Sequence, residues 1–236
     1  MLYLIGLGLD IRGIALHGKK ILKSAKIKKV YLENYTIDFP YSKKELEKEL
    51  KIRVIEAGRE FVESEELVKI AKNEDVVLLV YGSPLNATTH ISLINSCKKQ
   101  KIKYKILYSA SVIDAIAETG LSLYKFGKTT SLPKWQNNYK PTSFMEVIKE
   151  NQSINAHTLL LIDIGLDFKE AKKELKESGF KSEKEKIIVC IRLGVKSKFF
   201  YDYLEKIPED KIEKPYCIII PGKLSHDEEE NLKNLF

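Results

Sequence analysis

The chain has 236 residues and a formal net charge of +7, with 44% hydrophobic and 31% charged residues. This composition is typical of a folded globular protein, and the length suffices for one large domain or two small ones. No apolar run reaches the roughly 18 residues that span a bilayer, and the residues after Leu9 turn polar, unlike a signal peptide. We therefore expect a cytoplasmic protein without a membrane span.

Apolar runs alternate with helix-like segments in the first half, which is the pattern of βαβ units around a mostly parallel sheet. The predicted strands are residues 1–5, 29–33, 53–56, 75–81 and 103–107. The predicted helices are residues 14–25, 42–50, 63–72 and 88–99, the last capped by a threonine.

The second half has longer gaps between its predicted strands, which are residues 158–164, 186–193 and 216–220. Helices are predicted at residues 168–178 and after Lys223. Residues 124–141, rich in Gly, Lys, Thr, Pro and aromatic residues, are predicted to form a long functional loop. We place the domain boundary near residues 108–111, which gives two α/β domains, residues 1–108 and 109–236.

Cysteine and histidine spacing argues against a metal site. Cys190 and Cys217 lie inside apolar runs and are expected to be buried thiols, and three cysteines cannot all pair. The four histidines are far apart, without the i,i+4 spacing of metal ligands: His17, His90, His157 and His226. We predict no metal.

The positive charge is almost entirely lysine. Lysine is poorer than arginine at forked recognition of phosphates and bases, and here it is mixed with glutamate along helix-like stretches such as residues 42–51. This favours a solvated lysine and glutamate surface, with a nucleic-acid-binding face as the alternative.

Gly6 and Gly8 follow the first strand, where glycines let a backbone approach a ligand closely. A dinucleotide fingerprint needs a third glycine at position 11, where Ile11 stands, so hydride transfer is disfavoured. The two glycines fit a tight turn and a cofactor site equally well.

Residues 76–90 carry more information, because a buried strand ends there in the turn Gly82-Ser83-Pro84. Ligands of open α/β sheets collect at the carboxyl ends of strands, so Ser83 and Asn86 are placed to line a cleft. The alternative is a turn that only reverses the chain.

With this turn and other motifs, the chain resembles the diphthine synthases, a family within the tetrapyrrole-methylase-like methyltransferases. The resemblance covers nearly the whole chain, and the order and spacing of the motifs make it specific. The motifs are residues 2–9, Glu33 with Tyr35-Thr36, Gly82 with Pro84-Leu85, residues 87–90, residues 119–121 with 124–128, residues 141–143, 147–151, 157–160 with 163–164, and 221–224.

The resemblance implies repeated methylation of the amino group on the modified histidine of translation elongation factor 2. It implies S-adenosylmethionine as donor, S-adenosylhomocysteine as product, a cofactor cleft between two α/β domains of the tetrapyrrole methylase type, and a homodimer. The cofactor contacts that it implies are Leu9, Ser83, Asn86, Ser111, Val112, Ile162, Leu193 and Tyr216.

Three of these positions depart from the family pattern, which has an aspartate at Ser83, an apolar residue at Asn86 and a histidine at Tyr216. Serine and tyrosine can still form hydrogen bonds, but Ser83 supplies no charge to a cationic ligand. Weaker cofactor affinity or an adjusted cofactor pose is therefore expected.

Methyl transfer from a sulfonium needs no metal, because the donor already carries its activation. A nearby proton acceptor would help, since each step needs an unprotonated amine. His90, Asp163 and Tyr124 are candidates, with structural alternatives: helix capping for His90, loop orientation for Asp163 and packing for Tyr124. The catalytic residue stays unassigned.

Residues 125–134, with Trp135 beside them, either dock a large protein substrate or form a solvated loop. On this prediction, replacing Lys125 and Lys128 by alanine weakens use of the protein substrate and spares cofactor affinity.

Two other functions stay open: a methyltransferase of the same superfamily that acts on RNA, and a non-catalytic binding protein with a drifted cofactor site. A serine hydrolase is disfavoured, because Gly-x-Ser-x-Gly is missing although Ser109 and Ser111 lie near a strand end.

Overall fold

The computed structural model describes residues 1–235. Backbone contacts divide it into two compact units, Met1–Asp114 and Ala115–Phe236. Each unit contains one five-stranded sheet with helices, so the predicted α/β class is confirmed for both halves.

The first unit is built on a parallel sheet with the strand order β3-β2-β4-β1-β5. Its strands are β1 (Leu2–Gly6), β2 (Ile27–Glu33), β3 (Ile55–Ala57), β4 (Asp75–Val80) and β5 (Tyr104–Leu107). Its helices are α1 (Leu16–Leu22), α2 (Lys43–Leu50), α3 (Arg59–Glu63), α4 (Glu66–Asn73) and α5 (Ile91–Lys99), followed by the short α6 (Val112–Ala115) at the unit boundary. The boundary expected after residue 108 lies just past β5 and stays a prediction.

The central strand β4 explains why this sheet is buried on both faces. Its side chains alternate, so Val76, Leu78 and Val80 pack in one core cluster and Val77 and Leu79 in the other. A continuous apolar run is the sequence pattern of such a strand, which is why it could be predicted from the sequence.

Two predicted helices of the first unit differ from the structure. The helix expected at residues 63–72 is interrupted at Ser64, which is extended and whose hydroxyl donates to the Phe61 carbonyl at 3.0 Å. The helix expected from Thr88 begins at Ile91, and the Thr88 hydroxyl donates to the Pro84 carbonyl at 2.8 Å. The predicted threonine cap is therefore wrong, because this hydroxyl closes the preceding turn.

The second unit has a mixed sheet with the strand order β6-β7-β10-β8-β9, in which only β6 and β7 are parallel. Its strands are β6 (Thr130–Leu132), β7 (Thr158–Ile162), β8 (Lys186–Ile191), β9 (Lys198–Tyr203) and β10 (Tyr216–Ile220). Its helices are α7 (Ser143–Ser153), α8 (Phe168–Glu177) and α9 (His226–Leu235).

Three elements were not predicted from the sequence: β6, α7 and β9. The three-residue β6 lies inside the predicted loop 124–141, and β9 is a partly exposed edge strand without a clear apolar run. The three predicted strands and the two predicted helices of this half are confirmed. Within residues 1–235, no helix combines the length and the apolar character needed to cross a membrane.

Gly6 ends β1 at a place where the chain has no room for a side chain. A Cβ atom there would lie 2.6 Å from the Gly82 carbonyl oxygen and 3.0 Å from the Ser109 Cβ. The loops after β1 and β4 can therefore approach each other only because this residue is glycine.

We predict that Gly6→Ala lowers the free energy of unfolding by about 1–3 kcal/mol, because backbone must move to admit the methyl group. Gly58→Ala is the matched control, since Gly58 has open space around it and an extended backbone. Urea unfolding of both variants measures the difference, and equal stability of the two would contradict the prediction.

Candidate functional site

Two loops meet at the carboxyl edge of the first sheet. The Gly8 amide donates to the Gly82 carbonyl at 3.1 Å, and the Gly82 amide donates back to the Gly8 carbonyl at 3.0 Å. The Tyr81 hydroxyl donates to the Leu9 carbonyl at 2.9 Å. These bonds hold Leu9 beside the turn that contains Ser83.

A second set of bonds joins the turn after β4 to the segment after β5. The Asn86 side-chain amide donates to the Ser111 hydroxyl at 2.9 Å, and that hydroxyl donates to Asp114 at 2.9 Å. Val112 follows directly as the first residue of α6. The five cofactor contacts predicted in the first half, Leu9, Ser83, Asn86, Ser111 and Val112, thus lie along one edge of one sheet.

The glycines of this edge differ in how closely their surroundings approach the position of a Cβ atom. The space beside Gly8 is filled by its own neighbourhood, because a Cβ atom would lie 3.0 Å from the Gly13 carbonyl oxygen. At Gly82 the nearest atoms to a Cβ position belong to Ser111, at 3.7 Å. The glycines at positions 6 and 8 therefore form a tight turn, whereas the surroundings of Gly82 are at ordinary contact distance.

The other three predicted contacts lie at one edge of the second sheet. Ile162 ends β7, Tyr216 begins β10 opposite Ile191, and Leu193 follows β8. The Tyr216 hydroxyl donates to the Leu166 carbonyl at 3.3 Å.

A buried carboxylate, Glu228 of α9, organises the loops of the second unit. It accepts hydrogen bonds from the backbone amides of Ser122 and Ser225, at 3.0 and 2.8 Å, and from the His157 Nε2 at 3.1 Å. The Lys125 ammonium pairs with its other side. Although burial opposes ionisation, these donors together hold the pKa of Glu228 well below its usual range.

His157 is neutral in this arrangement. The Gly222 amide donates to its Nδ1 at 2.9 Å, which leaves Nε2 as the nitrogen that donates to Glu228. Burial also lowers the pKa of His157, although Glu228 acts in the opposite direction. The imidazole thus connects the start of β7 to the loop after β10.

Asn151 of α7 holds the neighbouring part of the loop. Its Oδ1 accepts from the Lys128 amide at 2.9 Å, and its Nδ2 donates to the Lys128 carbonyl at 2.8 Å. Gly127 lies against this side chain, so close that a Cβ atom would collide with the Asn151 Oδ1 at 2.2 Å. Packing against Asn151 therefore explains why the motif at residues 124–128 contains a glycine at position 127.

Residues 125–134, which were expected to dock a substrate, form hydrogen bonds and ion pairs within their own unit. The Lys125 ammonium donates to the Lys223 carbonyl at 2.7 Å as well as to Glu228, and Lys128 pairs with Glu150 at 2.5 Å. Their docking role stays a prediction, and Lys125→Ala would also disturb the fold.

The three candidate proton acceptors lie in different surroundings. The Asp163 carboxylate accepts from the backbone amides of Lys134, at 3.0 Å, and of Ile164, at 2.9 Å, which favours loop orientation. Tyr124 is fully exposed, so its expected packing role is wrong. His90 precedes α5 but its side chain does not cap it. Its Nδ1 instead lies 2.9 Å from the Pro84 carbonyl.

Glu33 is a buried carboxylate that was predicted only as part of a family motif and not as a site residue. It ends β2 at the carboxyl edge of the first sheet and is 1% exposed. Within residues 1–235, neither carboxylate oxygen has a donor at hydrogen-bonding geometry. Burial raises the pKa of Glu33 to about 7, against smaller opposing effects of Thr36 and Arg59. A glutamate at the end of an apolar strand was the sequence pattern from which a buried carboxylate could have been predicted.

Comparison with known proteins assigns the family. The family model of the tetrapyrrole (corrin/porphyrin) methylases matches residues 1–206. The diphthine synthase of Methanocaldococcus jannaschii is 36% identical over an alignment that covers 100% of this chain and 98% of that protein. The chain belongs to the diphthine synthase family. The predicted methyltransferase class and the predicted resemblance are thereby confirmed.

Two further comparisons agree with this family. The diphthine methyl ester synthase of Schizosaccharomyces pombe is 47% identical over 167 residues, which are 70% of this chain and 58% of that protein. The chain thus matches little more than half the length of that relative. A crystal structure of a diphthine synthase superposes with a TM-score of 0.90 at 30% identity, covering 99% of this chain and 95% of the other.

We predict that Glu228→Gln lowers the free energy of unfolding at pH 7 by about 3 kcal/mol, because Lys125 and two backbone amides lose a buried anion. A carboxylate with a depressed pKa stabilises the fold above its ordinary value of 4.5, and this stabilisation is lost as the pH falls below that value. The variant should therefore lose part of the acid sensitivity of the parent.

Urea unfolding between pH 3 and pH 7, a range chosen to bracket the titration, measures both effects. The exposed Glu230→Gln is the matched control on the same helix. A variant as stable as the parent at pH 7 would show that the buried carboxylate is dispensable.

Proposed function

We propose that the chain uses S-adenosylmethionine to methylate the amino group of the modified histidine of translation elongation factor 2, in diphthamide biosynthesis. The observation that carries this proposal is the full-length similarity to a protein named diphthine synthase, at 36% identity. The gathering of five predicted contacts at the carboxyl edge of a parallel sheet supports it, because such edges bind ligands in open α/β folds.

The residues at this edge fit the proposed cofactor. The Cβ position of Gly82 lies in van der Waals contact with Ser111, and Asn86 and Ser111 offer polar groups beside it. We assign Leu9, Ser83, Asn86, Ser111 and Val112 to cofactor binding, and we keep Ile162, Leu193 and Tyr216 as predicted contacts. When bound, S-adenosylmethionine supplies an activated methyl group, so the protein has to orient the acceptor and exclude water.

The substrate amine has to be unprotonated when it attacks. A basic group close to the acceptor therefore increases the rate, and solvent can remove the proton where no such group exists. Neither Asp163, held by two backbone amides, nor the exposed Tyr124 is well suited to this task.

The protein is further proposed to be a cytoplasmic homodimer that acts on a protein and not on nucleic acid. Lysines paired with glutamates favour a solvated surface over an RNA-binding face, as at Lys69 with Glu66 and Lys176 with Glu205. An RNA methyltransferase would bind its substrate with a steep dependence on salt, which distinguishes that alternative.

A second candidate product is a methyl ester. The Schizosaccharomyces pombe relative, 47% identical over 70% of this chain, is named a diphthine methyl ester synthase. The two products differ chemically, because an ester is cleaved by mild alkali whereas methyl groups on nitrogen are retained.

We predict that the protein transfers labelled methyl groups from S-adenosylmethionine to elongation factor 2 that carries the unfinished histidine modification. Mass spectrometry of the modified peptide counts the methyl groups, and alkali treatment shows whether one of them is an ester. Cofactor binding without transfer would favour the non-catalytic alternative. Absence of both would refute the proposed function.

Ser111→Ala should weaken binding of S-adenosylhomocysteine about tenfold, because the hydroxyl that holds Asn86 in place is lost. Isothermal titration calorimetry measures this affinity. Ser153→Ala is the control, because Ser153 is exposed and bonds only to a carbonyl of its own helix, at Glu150. Unchanged affinity of the Ser111 variant would remove this residue from the proposed cofactor site.

A further inference from the structure

The buried carboxylate of Glu33 lies at the same sheet edge as the proposed cofactor contacts. Glu33 ends β2, which pairs with β4, and β4 leads into the turn at Gly82 and Ser83. Because all five strands are parallel, their carboxyl ends open on one side. Glu33 therefore lies at the carboxyl edge of the sheet, where ligands bind, one strand away from that turn.

Three side chains at this edge of the sheet leave polar atoms without partners. Both carboxylate oxygens of Glu33, the Tyr35 hydroxyl and the His90 Nε2 are buried and have no hydrogen-bond partner within residues 1–235. Glu33 and His90 are each only 1% exposed. Buried polar atoms are almost always paired in folded proteins, so such a group points to a missing ligand.

The nearest cation is already engaged. Arg59 of α3 forms an ion pair with Glu63 at 3.4 Å, and its guanidinium lies 5.0 Å from the centre of the Tyr35 ring. Glu63 in turn accepts from the Thr89 hydroxyl at 3.2 Å. Arg59 thus acts on Glu33 only through space, and the carboxylate has no positive group in contact with it.

The unpartnered atoms are mainly acceptors. A carbonyl can only accept, so the His90 Nδ1 carries the proton in its bond to Pro84, and Nε2 is left with a free lone pair. Burial also lowers the pKa of His90, which keeps the ring neutral. Two carboxylate oxygens and one imidazole nitrogen complement a ligand that is rich in N–H donors, such as an amine or ammonium group.

We propose that Glu33, with Tyr35 beside it and the His90 imidazole at the same sheet edge, binds the amine of the methyl acceptor, and that the Glu33 carboxylate takes up the proton released by methylation. This inference rests on the proposed function. The amine nitrogen forms a bond to the donor's methyl carbon while the carbon–sulfur bond breaks, which leaves a methylammonium group. Its proton moves to Glu33 and then to solvent, and the neutral amine is ready for the next methyl group.

Both the ionisation and the position of Glu33 suit this role. Burial raises its pKa to about 7, so near neutral pH the carboxylate exchanges protons readily with an amine. Tyr35, whose pKa is raised to about 12 by burial and by Glu33, stays protonated. Glu33 is buried, so the amine reaches it through a local rearrangement, and residues 34–42, which follow Glu33 and include Tyr35, contain no helix or strand.

The experiment compares Glu33→Gln, Glu33→Asp and the exposed control Glu60→Gln with the parent protein. Single-turnover methyl transfer to elongation factor 2 is measured from pH 6 to pH 9, a range that brackets the raised pKa of Glu33, and S-adenosylhomocysteine binding is measured by calorimetry. We expect Glu33→Gln to slow transfer about a hundredfold and to change the acidic limb of the pH profile, which then reflects protonation of the substrate amine alone, with cofactor affinity unchanged. Glu33→Asp should restore part of the rate, because it keeps a carboxylate.

Thermal unfolding checks that the glutamine variant folds. A carboxyl group whose pKa is raised by folding stabilises the native state below its ordinary value of 4.5, and this stabilisation is lost as the pH rises through about 7. Glu33→Gln should therefore be at least as stable as the parent at pH 8. A loss of activity in this variant then reflects chemistry and not unfolding.

Three outcomes would overturn the proposal. A Glu33→Gln protein with the parent's rate and pH profile would make Glu33 a structural residue. A parallel loss of transfer and cofactor affinity would assign the carboxylate to the ammonium group of the donor. A parent protein that transfers no methyl group would refute the proposed function, and this proposal with it.

Discussion

The reciprocal backbone hydrogen bonds between Gly8 and Gly82, at 3.1 and 3.0 Å, are the constraint on which the first unit's edge depends. They require that Gly6 lack a side chain, since its Cβ position lies 2.6 Å from the Gly82 carbonyl oxygen. With the two loops joined, Tyr81 can reach the Leu9 carbonyl, and Asn86 can reach Ser111. A polar edge is the result, in the place where parallel sheets bind their ligands.

Two buried glutamates show how environment separates structural from functional carboxylates. Glu228 is surrounded by donors from Ser122, Ser225, His157 and Lys125, so it is ionised and stabilises the loops that it connects. Among the described residues, Glu33 has no donor at hydrogen-bonding geometry, and its pKa is raised to about 7. The first arrangement is complete within the protein, whereas the second is complementary to a ligand.

Family membership and the geometry of the loops explain different parts of the sequence. The motif at residues 124–128 is accounted for by packing, because Asn151 leaves no room beside Gly127 and Lys125 is bound to Glu228. Packing accounts for the Tyr35 ring, but not for its hydroxyl or for the Glu33 carboxylate, whose atoms are left without hydrogen-bond partners within residues 1–235.

The sequence alone determined the α/β class, the five strands of the first unit and the family, because buried parallel strands and ordered motifs leave local patterns. It could not place β6 and β9, since a three-residue strand and a partly exposed edge strand lack such a pattern. Only the tertiary structure decided which polar residues find partners. Glu228 bonds to residues more than 70 positions away, whereas the Glu33 carboxylate has no hydrogen-bond donor within residues 1–235, because pairing depends on which loops the fold brings together.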